Sequence, residues 1–260
     1  MMKKLLAILL CLSLIFALAA CSKPESQTQQ PAEQPAQTED QPTEPTQAEQ
    51  PSEPEALTYP IEQFTVGTTA AIETATFGEY SFDMLASGVS ELPLVWQDAE
   101  GSYHPLLASY ETEDSVTWVY TIEPGMTWSD GEPVTAEDIL FTLEYDDANG
   151  SANFVSQTDE DGKTTEAKYA SYELSSDAMS ISLTLSSANV RELSNMTSFR
   201  VMPKHIYEGK DSVTEAEARV TCGPYMLDSF NKEAGTLTFI PNPYYPLEPN
   251  VGKLTYRLFG

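Results

Sequence analysis

Apolar and polar residues alternate cleanly in two stretches of this chain. In Ser115–Ile122 (SVTWVYTI), Val116, Trp118, Tyr120 and Ile122 occupy every second position and so share one face of an extended backbone. The β-branched and aromatic content suits a strand. Met179–Leu185 (MSISLTL) repeats the pattern with Met179, Ile181, Leu183 and Leu185 on one side, predicting a second strand. Gln63–Thr68, Ser171–Leu174, Thr236–Ile240 and Leu254–Leu258 read as further strands.

Between the two alternating stretches the pattern changes. Glu123–Glu144 (EPGMTWSDGEPVTAEDILFTLE) reads as a strand end, a tight turn and a helix. Asp130-Gly131 is turn chemistry, because glycine accepts the positive φ that other residues avoid. Thr135 stands at the cap position with Asp138 three residues on, the spacing of a capping box, and Val134 and Ile139 flank it as a hydrophobic staple. Phe82–Leu94 is expected to form a helix running into an irregular strand, and Ala188–Met196 a short helix. Turns are expected at Glu100-Gly101 and at Asp161-Gly162, the latter a hairpin tip after Phe154–Gln157. Asp146–Ser151 reads as loop.

The first 57 residues differ in kind. Lys3-Lys4 and the apolar run Leu5–Leu18 form a basic n-region and an h-region of about 14 residues, too short for a comfortable membrane span. The run ends in Leu18-Ala19-Ala20-Cys21, similar to the lipobox of bacterial lipoproteins. That likeness implies a signal peptide over 1–20, cleavage before Cys21 and acylation of Cys21, giving a stable anchor in the membrane. An ordinary secretory signal with an incidental Cys is the alternative. Residues 21–57 are rich in Pro, Gln, Glu and Thr with almost no large apolar residues, so a disordered, partly extended tether is expected before a folded region over 58–260.

Charge narrows the function classes. The formal net charge is −27, and the folded region carries 32 acids against 10 bases. Such a surface repels phosphate backbones, which argues against nucleic acid as a partner; its ordinary use is solubility. Of three cysteines, Cys11 lies in the signal and Cys21 at the lipid site. Cys222 is then alone, so no disulfide framework is available, and a small buried hydrophobe is the expected role.

An enzyme would need a site. The chain contains no G-x-S-x-G, P-loop, G-x-G-x-x-G or H-E-x-x-H. Its two histidines, His104 and His205, have no ligand-type partner at helical spacing, so no metal site is expected and His205 reads as packing. Asp159-Glu160-Asp161-Gly162 is followed by Lys163, which breaks the pattern of a calcium loop. No carboxylate pair is singled out for glycoside hydrolysis.

The ordered motifs carry a resemblance. Trp128-Ser129-Asp130-Gly131, Pro133–Asp138 and Phe141 resemble the signature of solute-binding protein family 5, the peptide- and nickel-binding receptors of ABC importers. His104–Ala108 resembles the family's P-x-LA step, Val201–Ile206 its lP-kHi segment, and Cys222-Gly223-Pro224-Tyr225 its G-T-G-P-Y. Asn242-Pro243-Tyr244-Tyr245 resembles R-N-P-x-Y-W, with Tyr245 in place of Trp. The resemblance runs in order from about Phe64 to Leu258.

It implies an α/β, periplasmic-binding-protein-like fold of type II, with the extra small domain of the peptide-binding class. It also implies a monomer without cofactors that hands a peptide or related small solute to an ABC permease and ATPase complex. Family chains are about twice as long, so this one is expected to supply one wall of the ligand cleft. The residues implied for that wall are Thr68 and Thr69 after the first strand, Glu91-Leu92-Pro93 in the segment resembling Y-E-G-L, and Phe154. The alternatives are a non-transport surface lipoprotein acting as an interaction module and, third, an extracellular hydrolase.

Overall fold

Strands β1 (Phe64–Thr68) and β12 (Leu254–Leu258) pair in parallel, although nearly the whole folded chain separates them. The computed structural model describes residues 58–68 and 88–259. The chain divides into two units, Met1–Pro54 and Glu55–Gly260, and every described residue belongs to the second. Cys21, the signal and the tether lie outside the described residues, as does Thr69.

Two four-stranded sheets organise the described chain. In one, β1 and β12 are continued by β11 (Thr236–Pro241) and β10 (Tyr225–Asn231), in the order β1-β12-β11-β10. A small core of Leu227, Leu237, Phe239 and Tyr256 lines one face, with the Phe239 and Tyr256 rings edge-on at 5.9 Å. The other sheet runs β4 (Ala108–Glu111), β5 (Thr117–Ile122), β9 (Ser180–Leu185) and β8 (Tyr169–Leu174), all antiparallel. Its register sets Trp118 opposite Leu183 and Tyr120 opposite Ile181, so the expected alternation becomes one continuous buried face.

Helix α1 (Ala136–Ala148) covers that face, burying Ala136, Ile139 and Leu143 in the main core with Trp128 and Val134. Its first amide, on Ala136, donates to the Ala178 carbonyl at 2.8 Å, which fixes the helix start against the turn leading into β9. Two hairpins, β2 (Val95–Gln97) with β3 (Tyr103–Pro105) and β6 (Gln157–Thr158) with β7 (Thr164–Thr165), stand at the turns predicted around Gly101 and Gly162. Short helices α2 (Glu192–Met196), α3 (Lys204–Tyr207) and α4 (Glu215–Ala218) fill the connections. Among the described residues no helix is long and apolar enough to cross a membrane.

Three expectations need correction. Helix α1 continues to Ala148 instead of ending before Asp146. Asp147 in its last turn accepts the amide of Phe154 at 2.8 Å, and Asn153 Nδ2 donates to the Leu143 carbonyl at 3.0 Å, so the following loop folds back and stabilises the extra turn. Ala188–Met196 is helical only from Glu192, because the Asn189 side chain takes the Arg191 amide at 3.0 Å in a local turn. Of the helix expected in Phe82–Leu94, residues 82–87 lie outside the described residues. Residues 88–94 form a turn with isolated bridges, as the 2.7 Å bond from the Gly88 amide to the Glu91 carbonyl requires.

Candidate functional site

The motifs converge on one buried carboxylate. Asp138 Oδ2 accepts the Thr135 amide at 2.8 Å and Trp128 Nε1 at 3.4 Å, while Oδ1 accepts the Lys204 amide at 2.8 Å. The Thr135 hydroxyl leans on the same Oδ2 at 3.4 Å. Burial raises the Asp138 pKa and these donors oppose the rise. One turn further along, Thr142 donates to the Asp138 carbonyl at 2.7 Å and accepts the Met202 amide at 2.8 Å. The segment at 201–206 is thereby laid along α1.

The turn before α1 is clasped from its other side. The Ser129 amide donates to the Thr221 carbonyl at 2.8 Å, and Ser129 Oγ accepts the Thr221 amide at 3.2 Å. Gly131 has φ of +95°, and the Tyr244 ring lies 3.2 Å from where a Cβ would stand, so both its backbone angle and the close approach favour glycine. His205 Nε2 lies 2.9 Å from Asp130 Oδ2, and its ring packs beside Trp128 at 6.3 Å. His205 itself is exposed, so it lies against the outside of the turn and not within the core.

A second junction holds the segment at 88–93. Gly223 donates its amide to the Ser90 carbonyl at 2.7 Å, and Tyr225 to Val89 at 3.0 Å. A Cβ on Gly223 would stand 2.5 Å from the Val89 carbonyl oxygen, so the backbones approach as closely as only glycine allows. Asn242 locks the outer side, its Nδ2 donating to the Gly223 carbonyl at 3.0 Å. Cys222 is buried here, and burial pushes its thiol up to about 12.

The residues predicted for the ligand wall fall in three places. Thr68 ends β1, where its carbonyl accepts the Phe259 amide at 2.8 Å. Glu91 and Leu92 are buried in the second junction, with Glu91 Oε2 2.9 Å from Arg200 Nη1, and Pro93 bridges to Arg200. Phe154 packs against Tyr169 at 5.6 Å and Tyr172 at 5.2 Å, beyond the far end of α1. The structure brings Glu91, Leu92 and Pro93 together and leaves Phe154 in a separate aromatic cluster. Sequence reasoning missed Arg200, which stands 109 positions from its acidic partner with no motif to mark it.

Buried polar chemistry elsewhere serves packing. Glu192 is fully buried, accepts the Tyr169 hydroxyl at 2.6 Å and pairs with Lys168 at 3.0 Å. Burial, then the nearby Glu192 charge, raises the pKa of both Tyr169 and Tyr120. Among the described residues, no group of three or more His, Cys, Asp or Glu side chains is placed to hold a metal ion.

With this geometry in hand, the comparisons are decisive. The sequence model of the bacterial extracellular solute-binding proteins, family 5 Middle, matches residues 102–260, more than half of the chain. The chain belongs to this family. A probable ABC transporter-binding protein of Deinococcus radiodurans is 25% identical over 170 residues, covering 58% of this chain and 27% of that protein. The ABC transporter substrate-binding protein CtaP of Listeria monocytogenes superposes with a TM-score of 0.57 at 22% identity, over 76% of this chain and 41% of its own. The oligopeptide-binding protein AppA of Bacillus subtilis, solved with a nonapeptide, superposes with a TM-score of 0.58 at 18% identity, over 77% and 41%.

The family 5 chain described here thus has the periplasmic-binding-protein fold of the peptide-binding type, and spans well under half the length of these relatives. Several of the motifs that carried the resemblance meet one another or the segments beside them. The tryptophan turn meets Thr221 and Tyr244, the helix cap meets Lys204, and Gly223 meets Ser90. What identifies the family is its scaffold.

Proposed function

We propose that this protein is the solute-capturing component of an ABC importer, held outside the cytoplasmic membrane by acyl chains on Cys21 and delivering a peptide to its permease and ATPase. The observation that carries the reading is the family 5 match over residues 102–260, on a fold shared with solute-binding proteins. Peptide is favoured as the solute because AppA of Bacillus subtilis, similar in fold, was solved with a nonapeptide. The role involves no covalent chemistry. A solute that makes contacts only in a closed arrangement shifts the population toward it, and a hinge motion follows.

In this reading residues 1–20 are removed, 21–57 give reach, and the region 58–260 provides one wall of the cleft. Thr68, the last residue of β1, and Thr69 after it are the residues proposed to meet the solute from this part of the wall. Glu91, Leu92 and Pro93 shape that wall from behind, since Glu91 is engaged by Arg200 and Leu92 is buried. Phe154 contributes an aromatic surface with Tyr172. The expected working unit is a monomer. Deleting the gene should abolish peptide-dependent growth or labelled-peptide uptake, and the wild-type gene should restore it. A Cys21→Ser copy should restore it only weakly, because the protein is shed from the membrane. Undiminished uptake in the deletion strain would refute the proposal.

A further inference from the structure

Helix α1 is capped at its C-terminal end by Asn149, which precedes Gly150 in the only Asn-Gly step of the sequence. The other six asparagines are followed by Phe, Val, Met, Lys or Pro, each of which crowds or substitutes the next peptide nitrogen. Asn149 and Gly150 are both exposed. Gly150 has φ of +96°, and a Cβ built on it would meet nothing within 4 Å, so the space a side chain would fill is open.

A set of bonds holds this step in place. The Asn149 amide donates to the Asp146 carbonyl at 3.0 Å, Gly150 to Asp147 at 3.2 Å and Ser151 to Asp146 at 2.9 Å. The Asn149 carboxamide donates through Nδ2 to the Tyr145 carbonyl at 2.8 Å. Attack of the Gly150 nitrogen on Asn149 Cγ would close a five-membered ring. That ring needs the nitrogen and the Asn149 Cβ nearly eclipsed about the Cα–C bond, and the observed ψ of 17° holds them far apart. The last turn must therefore open first, and helix ends are where opening costs least.

We propose that Asn149 is a site of spontaneous deamidation, gated by fraying of the last turn of α1. Solvent base takes the Gly150 N–H proton and the nitrogen attacks Asn149 Cγ. A new C–N bond forms, the Cγ–Nδ2 bond breaks, and the amide nitrogen leaves as ammonia. Water then opens the succinimide at one of its two C–N bonds, giving aspartate or isoaspartate; nothing is oxidised or reduced. The product no longer donates to the Tyr145 carbonyl. It adds a negative charge beside Asp146 and Asp147, at the negative end of a helix whose last turn carries no base. The change favours the frayed state and loosens Asp147, whose carboxylate accepts the Asn153 and Phe154 amides. The site is independent of the solute reading, so failure here leaves that reading intact.

Ageing the full chain in mildly alkaline buffer, followed by peptide mapping with mass spectrometry, tests the proposal. Asn149 should convert before any other asparagine, to a mixture of aspartate and isoaspartate. A free peptide spanning Tyr145–Asn153 gives the ungated rate, and the folded chain should be about tenfold slower or more. Asn149→Asp, which carries one of the two products, should lose hydrogen-exchange protection at Ser151 and Phe154 while β5 and β9 keep theirs. Earlier conversion of a different asparagine, or an intact Asn149 after the peptide is consumed many times over, overturns the site. Equal rates in chain and peptide, or unchanged protection in Asn149→Asp, overturn the gate.

Discussion

The carboxylate of Asp138 accepts the backbone amide of Lys204, 66 positions later, at the same 2.8 Å at which it accepts the amide of Thr135, three positions earlier. One side chain therefore ends a local turn and fixes a distant segment. The sequence predicted a capping box between Thr135 and Asp138, and the structure has it; what the spacing did not announce is that the Asp138 carboxylate also takes Trp128 Nε1 and the Lys204 amide. Asp138→Ala should cost about 3 kcal/mol, because it leaves the part-buried Thr135 and Lys204 amides and the Trp128 indole N–H without their acceptor. Thr135→Ala should cost roughly 1 kcal/mol or less. Urea unfolding of both variants checks the order, and equal losses would show that Asp138 acts only as a local cap.

Gly223 makes a second separable claim. Its Cβ position is occupied by the backbone of Val89 and Ser90, and backbone cannot give way as a flexible side-chain tip can. Gly223→Ala should therefore destabilise the chain by about 2 kcal/mol, the range for overpacking. Hydrogen exchange should report where: the Gly223 and Tyr225 amides, bonded to Ser90 and Val89, should lose protection first. Unchanged protection there would mean that the junction tolerates separation.

Cys222 should be silent until the fold opens. Its thiol sits at about 12 against an ordinary 9.0, raised chiefly by burial, so at pH 8 a thiol reagent should react only after denaturant is added. The linkage has a definite sign. Between pH 9 and pH 12 the folded chain retains a proton that the unfolded chain has lost, so this group favours folding below 9 and loses that contribution as pH rises toward 12. Cys222→Ala should therefore gain stability relative to wild type as pH rises above 9. Rapid labelling of the native protein at pH 8 would contradict the burial.

Much of the scaffold was legible because its signals are local. The alternation in β5 and β9, the glycine turn at Gly131 and the acid three residues after Thr135 each act within a few positions. Strand β10 was not legible: a bulge between Leu227 and Ser229 breaks its alternation, and Asp228 and Ser229 point into solvent. The candidate site was less legible still. The Glu91–Arg200 pair spans 109 positions, and Asp138 meets Lys204 through a backbone amide, which no side-chain pattern announces. The motif order named the family because those long-range contacts constrain it, yet the contacts had to be seen to be understood.

The central claim is that the folded protein captures a small solute, and the most direct measurement is of what it carries. The full-length protein, purified from its own cells without denaturant, should release a stoichiometric small solute when unfolded, and mass spectrometry should identify it as a peptide. The emptied, refolded protein should take the same solute back in a calorimetric titration. A folded preparation that releases nothing, and then binds nothing from a peptide mixture, would contradict the account.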